Sequence, residues 1–349
     1  MLRAGACLGL AVLLAACSDD PWQPACTSDP VGNCWQFLGP SGTQITSVAV
    51  SGETIFAGTH DGILRFDARH GRWDRVGMAG KIVNSVTVLP SGQVWVTVRP
   101  IGTDTTLSVA YVSNNGGSTW QPSDDGVASS QGYYAAAFSL AYDPSTPSLL
   151  FLGQGIHVST STNGGQTWAL TFGNPGLDRG PGIVALGVGP SGSQRVWAGG
   201  QDFLGLSLLL RSDNGGTSWT ASNPTAVAED VVTSVLPDPS NKATALIGTF
   251  GAVSRTTDSG TTWIPMLTTA KPGFVRAMQY RDTRLFAVSD EELGAPGVTA
   301  LGLYLSPDRG ITWDTLAVPA GIAGGWALAP RAQSMLIGTR SGVWEAVIP

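Results

Sequence analysis

Charge is scarce in this chain. Charged residues occupy 13% of its 349 positions, low for a soluble domain. Lysine is almost missing: Lys81, Lys242 and Lys271 stand against 16 arginines, and no basic run occurs. Nucleic acid is therefore not an expected partner, because phosphate backbones are held by clustered positive charge. Histidine occurs three times, cysteine four times and glutamate five times. Two cysteines left without matched histidines do not make a zinc site, and neither a metal nor a cofactor is expected. Also missing is any stretch with a helical hydrophobic period of useful length.

What the chain has is glycine, 46 residues of it, and tryptophan in register. Trp120, Trp168, Trp219, Trp263 and Trp313 each close a phrase of the form Ser/Thr-x-Asp/Asn-x-Gly-x-Thr/Ser-Trp, as in Ser161-Thr162-Asn163-Gly164-Gly165-Gln166-Thr167-Trp168. Asp258 and Asp308 hold the acidic position in the last two copies. Trp35 and Trp73 extend the series with looser phrases, giving steps of 38, 47, 48, 51, 44 and 50 residues. A fixed period of this length matches one four-stranded propeller blade.

Each interval repeats one order of elements. An apolar strand such as Ile183–Leu186 leads to a turn rich in Pro, Ser and Gly, such as Pro190-Ser191-Gly192. A second strand runs into Gly, as in Val196–Gly199. A third leads into the phrase, and the Trp opens a fourth. After Trp313 the chain supplies three strands and stops, while Trp35–Leu38 is a lone fourth strand at the other end. The N-terminal strand is therefore expected to complete the last blade and remove an open edge. The reading is all-β: a seven-bladed β-propeller over residues 28–349.

The N-terminus reads as a secretory signal, with Arg3 followed by a short apolar run that is too short to span a membrane. Leu14-Ala15-Ala16-Cys17 resembles a bacterial lipobox. That resemblance implies removal of residues 1–16, lipidation of Cys17, and residues 17–27 as a tether. Ser18 after the cysteine is the pattern of outer-membrane lipoproteins, so the expected location is the outer membrane, facing the periplasm. The mature chain would carry 18 basic and 25 acidic side chains, a net charge of −7. Cys26 and Cys34 remain, in a compartment where disulfides persist. A bridge between them would staple the tether to the closing strand; two free thiols are the alternative.

The phrase reads as turn and packing chemistry. Its Asp/Asn can accept hydrogen bonds from backbone N–H groups of its own turn, and its Gly can take positive φ. Its Trp can bury a large area between blades if the indole N–H finds a partner. The phrase is similar to the Asp-box, or bacterial neuraminidase repeat, of sialidases, some glycanases and sortilin-type receptors. With seven blades and Gly-Thr before the third strand (Gly58-Thr59, Gly248-Thr249, Gly338-Thr339), the chain most resembles the photosystem II assembly and stability factors. That resemblance implies a propeller scaffold and leaves its use open.

In a propeller of this kind the phrases would mark one face, with function expected on the other. Three second-to-third loops read as long there: Arg99–Leu107, Gly200–Ser207 and Ser289–Leu301. The candidate binding face comprises Arg99, Asp104, Asp124, Asp125, Tyr133, Tyr134, Asp178, Arg179, Asp202, Arg276, Asp290, Glu291, Glu292 and Arg340. Asp290-Glu291-Glu292 reads as a solvated loop tip. No catalytic residue is assigned. A sialidase-type hydrolase would need an arginine cluster, a Tyr-Glu nucleophile pair and an acid Asp, and the Phe/Tyr-Arg-Ile-Pro phrase is missing. The expectation is thus a monomeric, envelope-anchored, non-catalytic scaffold for a protein partner. A glycoside hydrolase is the alternative, and a glycan-binding module using aromatic platforms comes third.

Overall fold

The computed structural model describes residues 27–28, 33–100, 108–127, 136–173, 182–225, 227, 229–292 and 299–348. The described residues form strands and turns, arranged as seven antiparallel sheets in a ring: a seven-bladed β-propeller. Blade 1 comprises Ile45–Ser51, Thr54–Thr59, Gly62–Asp67 and Arg72–Gly77. Blades 2 to 6 repeat that meander, starting at Lys81, Ala137, Gly182, Ser234 and Gly273. Blade 7 takes Gly325–Pro330, Met335–Thr339 and Gly342–Val347 from the C-terminal end. Its fourth strand is Cys34–Gly39, paired from Cys34↔Val347 to Gly39↔Val343, so the ring closes as expected. Thr27–Ser28 adds a fifth strand outside it. Cys34 is disulfide-bonded; Cys26 and Cys17 lie outside the described residues.

The phrase ties each blade to the one before it. In blade 3, Ser161 Oγ accepts from Gly165 N (2.9 Å), and Asn163 Oδ1 accepts from Thr167 N (3.0 Å). The same two bonds recur around Asn115, Asn214, Asp258 and Asp308. The phrase Gly sits at positive φ, as at Gly165 (84°). A Cβ there would overlap Trp95 on the second strand of blade 2, so the position is closed to larger residues for two reasons at once. The indole N–H then reaches the fourth strand of the preceding blade or the residue just after it: Trp73 to Leu38 O (2.8 Å), Trp120 to Val76 O and Trp168 to Ser123 O (both 2.9 Å). Trp263 and Trp313 pack in the same way, but their buried N–H groups find no acceptor.

Apolar clusters fill the spaces between blades. Leu38, Ile45 and Leu336 join blade 7 to blade 1, and Val158, Ile183 and Leu210 join blade 3 to blade 4. The glycines that end the second strands admit the next blade. A Cβ on Gly248 would lie 2.8 Å from Val275 O on the first strand of blade 6. First-to-second turns share a face with the phrases, shown by Gly164 N donating to Ser148 O (2.8 Å) and Gly215 N to Gln194 O (2.9 Å). Second-to-third turns and blade linkers lie at the other end of the strands, the mouth face.

Candidate functional site: the channel mouth

The first strand of a blade breaks register near its start in six of the seven blades. The shifts fall between Ile45 and Ser47, Val83 and Ser85, Ala137 and Ser139, Ile183 and Ala185, Val275 and Ala277, and Gly325 and Ala327. A bulge leaves one residue unpaired and re-aims its side chain. The skipped residues are Thr46, Asn84, Phe138, Val184, Arg276 and Trp326. All of them line the central channel, a cavity of about 560 Å³, and Thr233 joins them from blade 5. The bulges sit at the end where the first strand enters from the linker, so this ring of side chains lies at the mouth.

The ring is not symmetric. Among the described residues that line the channel, Arg276 is the one charged residue, and none is Asp, Glu, His or Cys. Its guanidinium carbon sits 4.5 Å from the ring centroid of Phe274 and 4.5 Å from that of Trp326, within cation–π range. Arg276 Nη2 approaches Asp290 Oδ2 at 3.7 Å. Arg340 grips the same carboxylate more closely, with Nε to Oδ1 at 3.2 Å and Nη2 to Oδ2 at 2.8 Å, and lies 5.6 Å from the Trp326 ring. Two cations thus share one carboxylate, leaving a surplus positive charge beside an indole. Burial pulls the Arg276 guanidinium below its ordinary value, Asp290 raises it again and Arg340 lowers it. It stays charged, as arginine does in proteins.

Asp290 and Glu291 are not a loop tip. The second strand of blade 6 runs from Arg284 to Glu292 and pairs as far as Glu292↔Thr299, so Ser289–Glu292 and Thr299–Leu301 of the expected loop are paired strand. Both carboxylates are buried and Glu292 is exposed. Room for them comes from glycine: a Cβ on Gly324 would overlap Asp290 Oδ1, and one on Gly302 would overlap Glu291 Oε1. Tyr304 Oη donates to Glu291 Oε1 and accepts from Ala270 N (2.9 Å). A Tyr-Glu pair therefore exists, but Tyr304 is fully buried. Burial, and then the Glu291 contact, push its phenol up to about 12, opposite to what a nucleophile requires.

The other expected residues scatter. Arg99 is the last residue but one of the second strand of blade 2 and is exposed. Burial and then the Arg99 charge lower His60 in the neighbouring blade. Asp124 accepts from Val109 N (2.7 Å). With Asp125 it lines a separate groove of about 630 Å³ that also carries Asn114, Gly164 and Gly165 of the phrases. Asp202 Oδ1 accepts from Leu204 N (2.8 Å) and Leu206 N (2.9 Å), holding its own turn. Asp104, Tyr133, Tyr134, Asp178 and Arg179 lie outside the described residues. Of the expected set, the structure brings together Arg276, Asp290 and Arg340. Phe274 and Trp326 complete that group without a sequence signal of their own: Trp326 stands outside the Trp period, but so do the core residues Trp95 and Trp197.

No family model and no curated protein matches the sequence. Solved structures do. The chain is similar to YCF48, a photosystem II assembly factor, solved with a D1 peptide: 14% identity and a TM-score of 0.61, covering 93% of this chain and 97% of that one. YCF48 from Cyanidioschyzon merolae gives the same identity and TM-score over 90% and 98%. A virginiamycin B lyase from Staphylococcus aureus, solved with quinupristin, matches at 12% identity and a TM-score of 0.66 over 90% and 98%. An ancestral GH74 enzyme matches at 18% and 0.50, over 87% of this chain and 36% of its own. At these identities the likeness is one of fold. A peptide complex, a lyase and a GH74 enzyme share the architecture, so the use of the ring has to be argued from its site.

Proposed function

We propose that the chain is an envelope-anchored, non-catalytic scaffold that holds a segment of a protein partner at the channel mouth. The observation that carries this reading is the one cation among the described residues that line the channel. Arg276 is re-aimed by a bulge, sits against two aromatic rings, and is held by a buried carboxylate that it shares with Arg340. Such a group recognises a carboxylate or a peptide carbonyl, with Trp326 as an apolar platform beside it. Among the described residues, the channel lining offers no carboxylate pair, histidine or thiol to do acid–base or nucleophilic work. The peptide seen with YCF48, a protein of like fold, supports the same reading. Cys17 would carry the lipid, placing the ring at the outer membrane on the periplasmic side.

The test is a library of random peptides with free carboxyl ends, panned on the purified ring. Enriched peptides should bind Arg276→Gln about tenfold more weakly, a loss of ~1.4 kcal/mol, with the melting temperature little changed. Failure to enrich any peptide, together with release of reducing sugar from sialosides or xyloglucan by the same chain, would replace the scaffold with a hydrolase.

A further inference from the structure

An exposed aromatic ring extends the Arg276 cluster outward. Phe250, in the second-to-third turn of blade 5, is 46% exposed. Its ring meets that of Phe274 edge-on, with centroids 5.0 Å apart. Phe274 holds the Arg276 guanidinium at 4.5 Å, and Trp326 holds it at 4.5 Å from its own ring. The four side chains form one row across blades 5, 6 and 7. Arg276 and Trp326 line the channel while Phe250 and Phe274 do not, so the row leads from the channel out over the rim. A single exposed apolar residue is ordinary; this one continues a site that already presents a cation and an indole.

The backbone fixes Phe250 in that place. It pairs with Phe274 in an antiparallel bridge. Gly251 N donates to Gly273 O (2.7 Å), Val275 N to Thr249 O (3.1 Å) and Phe250 N to Asp230 Oδ1 (3.2 Å). The turn is thereby tied to the next blade and to the preceding linker. A contact made on a turn already held in place loses little freedom on binding. Charge also changes sign along the row. At the inner end Arg276 and Arg340 outnumber Asp290. At the outer end Glu229, Asp230 and Glu292 stand against Lys271, and both glutamates are exposed. Glu229 adjoins the Asp230 that binds Phe250 N, and Glu292 N donates to Pro272 O (2.8 Å) beside Gly273.

We infer that Phe250 sets the specificity of the mouth: the row reads a carboxylate on Arg276 together with a large apolar side chain on Phe250. The inference rests on the reading of Arg276 as the peptide contact and names what that peptide carries. The two ring contacts keep Phe250 within ~10 Å of the guanidinium, about three residues of extended chain. The apolar residue therefore lies within three positions of the carboxylate. The change of sign orients the segment. Its acidic end points into the channel, and the chain leaves past Glu229, where a basic residue fits.

The test uses synthetic peptides of about ten residues, mostly Gly and Ser, with a fluorescent N-terminus and a free carboxyl end, read by anisotropy. One probe carries Phe two places before its end and Lys four places before that; sister probes replace the Phe by Ser or the Lys by Glu. The native ring should bind the Phe probe about tenfold more tightly than the Ser probe, and Phe250→Ser should abolish that step. Phe250→Leu should keep most of it, and Ile311→Ser on the phrase face should leave it whole. The melting temperatures of all three variants should stay close to that of the parent. The Glu probe should bind more weakly than the Lys probe at low salt. An amide-capped set with an internal Asp shows which kind of carboxylate Arg276 takes, and the Phe250 step is expected in whichever set binds. Equal binding of the Phe and Ser probes overturns the inference, as does a step that survives Phe250→Ser. A preference for the Glu probe overturns the orientation. A ring that pairs with itself in sedimentation, and stops doing so in Phe250→Ser, assigns the surface to a second copy and overturns the inference too. In each of these cases the Arg276 reading stands if Arg276→Gln still weakens every probe alike. Absence of any binding, or binding indifferent to Arg276→Gln, removes both.

Discussion

The two faces of the ring are built by opposite rules. On the phrase face, five turns repeat one hydrogen-bond set around Asn115, Asn163, Asn214, Asp258 and Asp308, and each clamps a side chain of the preceding blade. On the mouth face, the backbone irregularity repeats and the side chains do not. The same bulge carries Thr, Asn, Phe, Val, Arg and Trp in turn. The difference separates what must be kept for the ring to close from what is free to vary for its use. Repetition marks the scaffold. The place where a repeated backbone device bears unrepeated side chains is where binding is sought.

Changes on the phrase face should therefore cost stability, and changes at the mouth should cost binding. The largest effect is expected at Trp168, which is 5% exposed, packs edge-on to Trp95 at 6.4 Å and bonds to Ser123 O. Trp168→Ala should cost ~3–5 kcal/mol in denaturant unfolding. Trp168→Phe keeps most of the ring, loses the N–H bond and should cost about 1 kcal/mol more than mere resizing. An equal loss of peptide binding with unchanged unfolding would break the comparison. Next comes the seam between blades 5 and 6. Gly248→Ala forces the blades apart against Val275 O and should cost about 1–3 kcal/mol, measured in the same way.

The smallest effect is one of pH. Hydrogen bonds from Thr262 N and its hydroxyl, then from Thr256, hold the Asp258 carboxyl down at about 2. Burial opposes ionisation of Asp308, but Thr312 and Ser306 outweigh it and hold it at about 2 as well. A carboxylate depressed below its ordinary ~3.9 contributes stability that is present above that value and is lost as pH falls toward about 2. Blades 2, 3 and 4 carry Asn115, Asn163 and Asn214 at this position, which have no proton to gain. Limited digestion with pepsin between pH 4 and 2 should therefore open blades 5 and 6 first. Uniform cleavage around the ring would show that the phrase carboxylates play no such part.

The scaffold was legible because its signals are local and repeated. The Trp period announces the blades, and Trp35, whose strand matches the missing fourth strand after Gly342–Val347, foretells how blade 7 closes. The mouth was legible only in part. Arg276, Asp290 and Arg340 were marked as polar residues near that face, but a bulge is a property of pairing register and leaves no local motif. Trp326 therefore could not be told from a core residue. Asp290 and Glu291 read as a solvated tip because three acidic residues in a row usually are one; the glycines that make room for them, Gly302 and Gly324, lie elsewhere in the chain. Trp263 and Trp313 keep the phrase yet lack the indole acceptor their counterparts have, since that acceptor belongs to another blade.

The central claim is that binding happens at the mouth and that the phrases only build the ring. The chain has 12 tryptophans, and each indole N–H gives its own signal in a ¹H–¹⁵N spectrum. On titration with an enriched peptide, the Trp326 signal should move while those of Trp120, Trp168 and Trp219 stay in place. Movement of the phrase indoles with Trp326 unchanged would contradict the account.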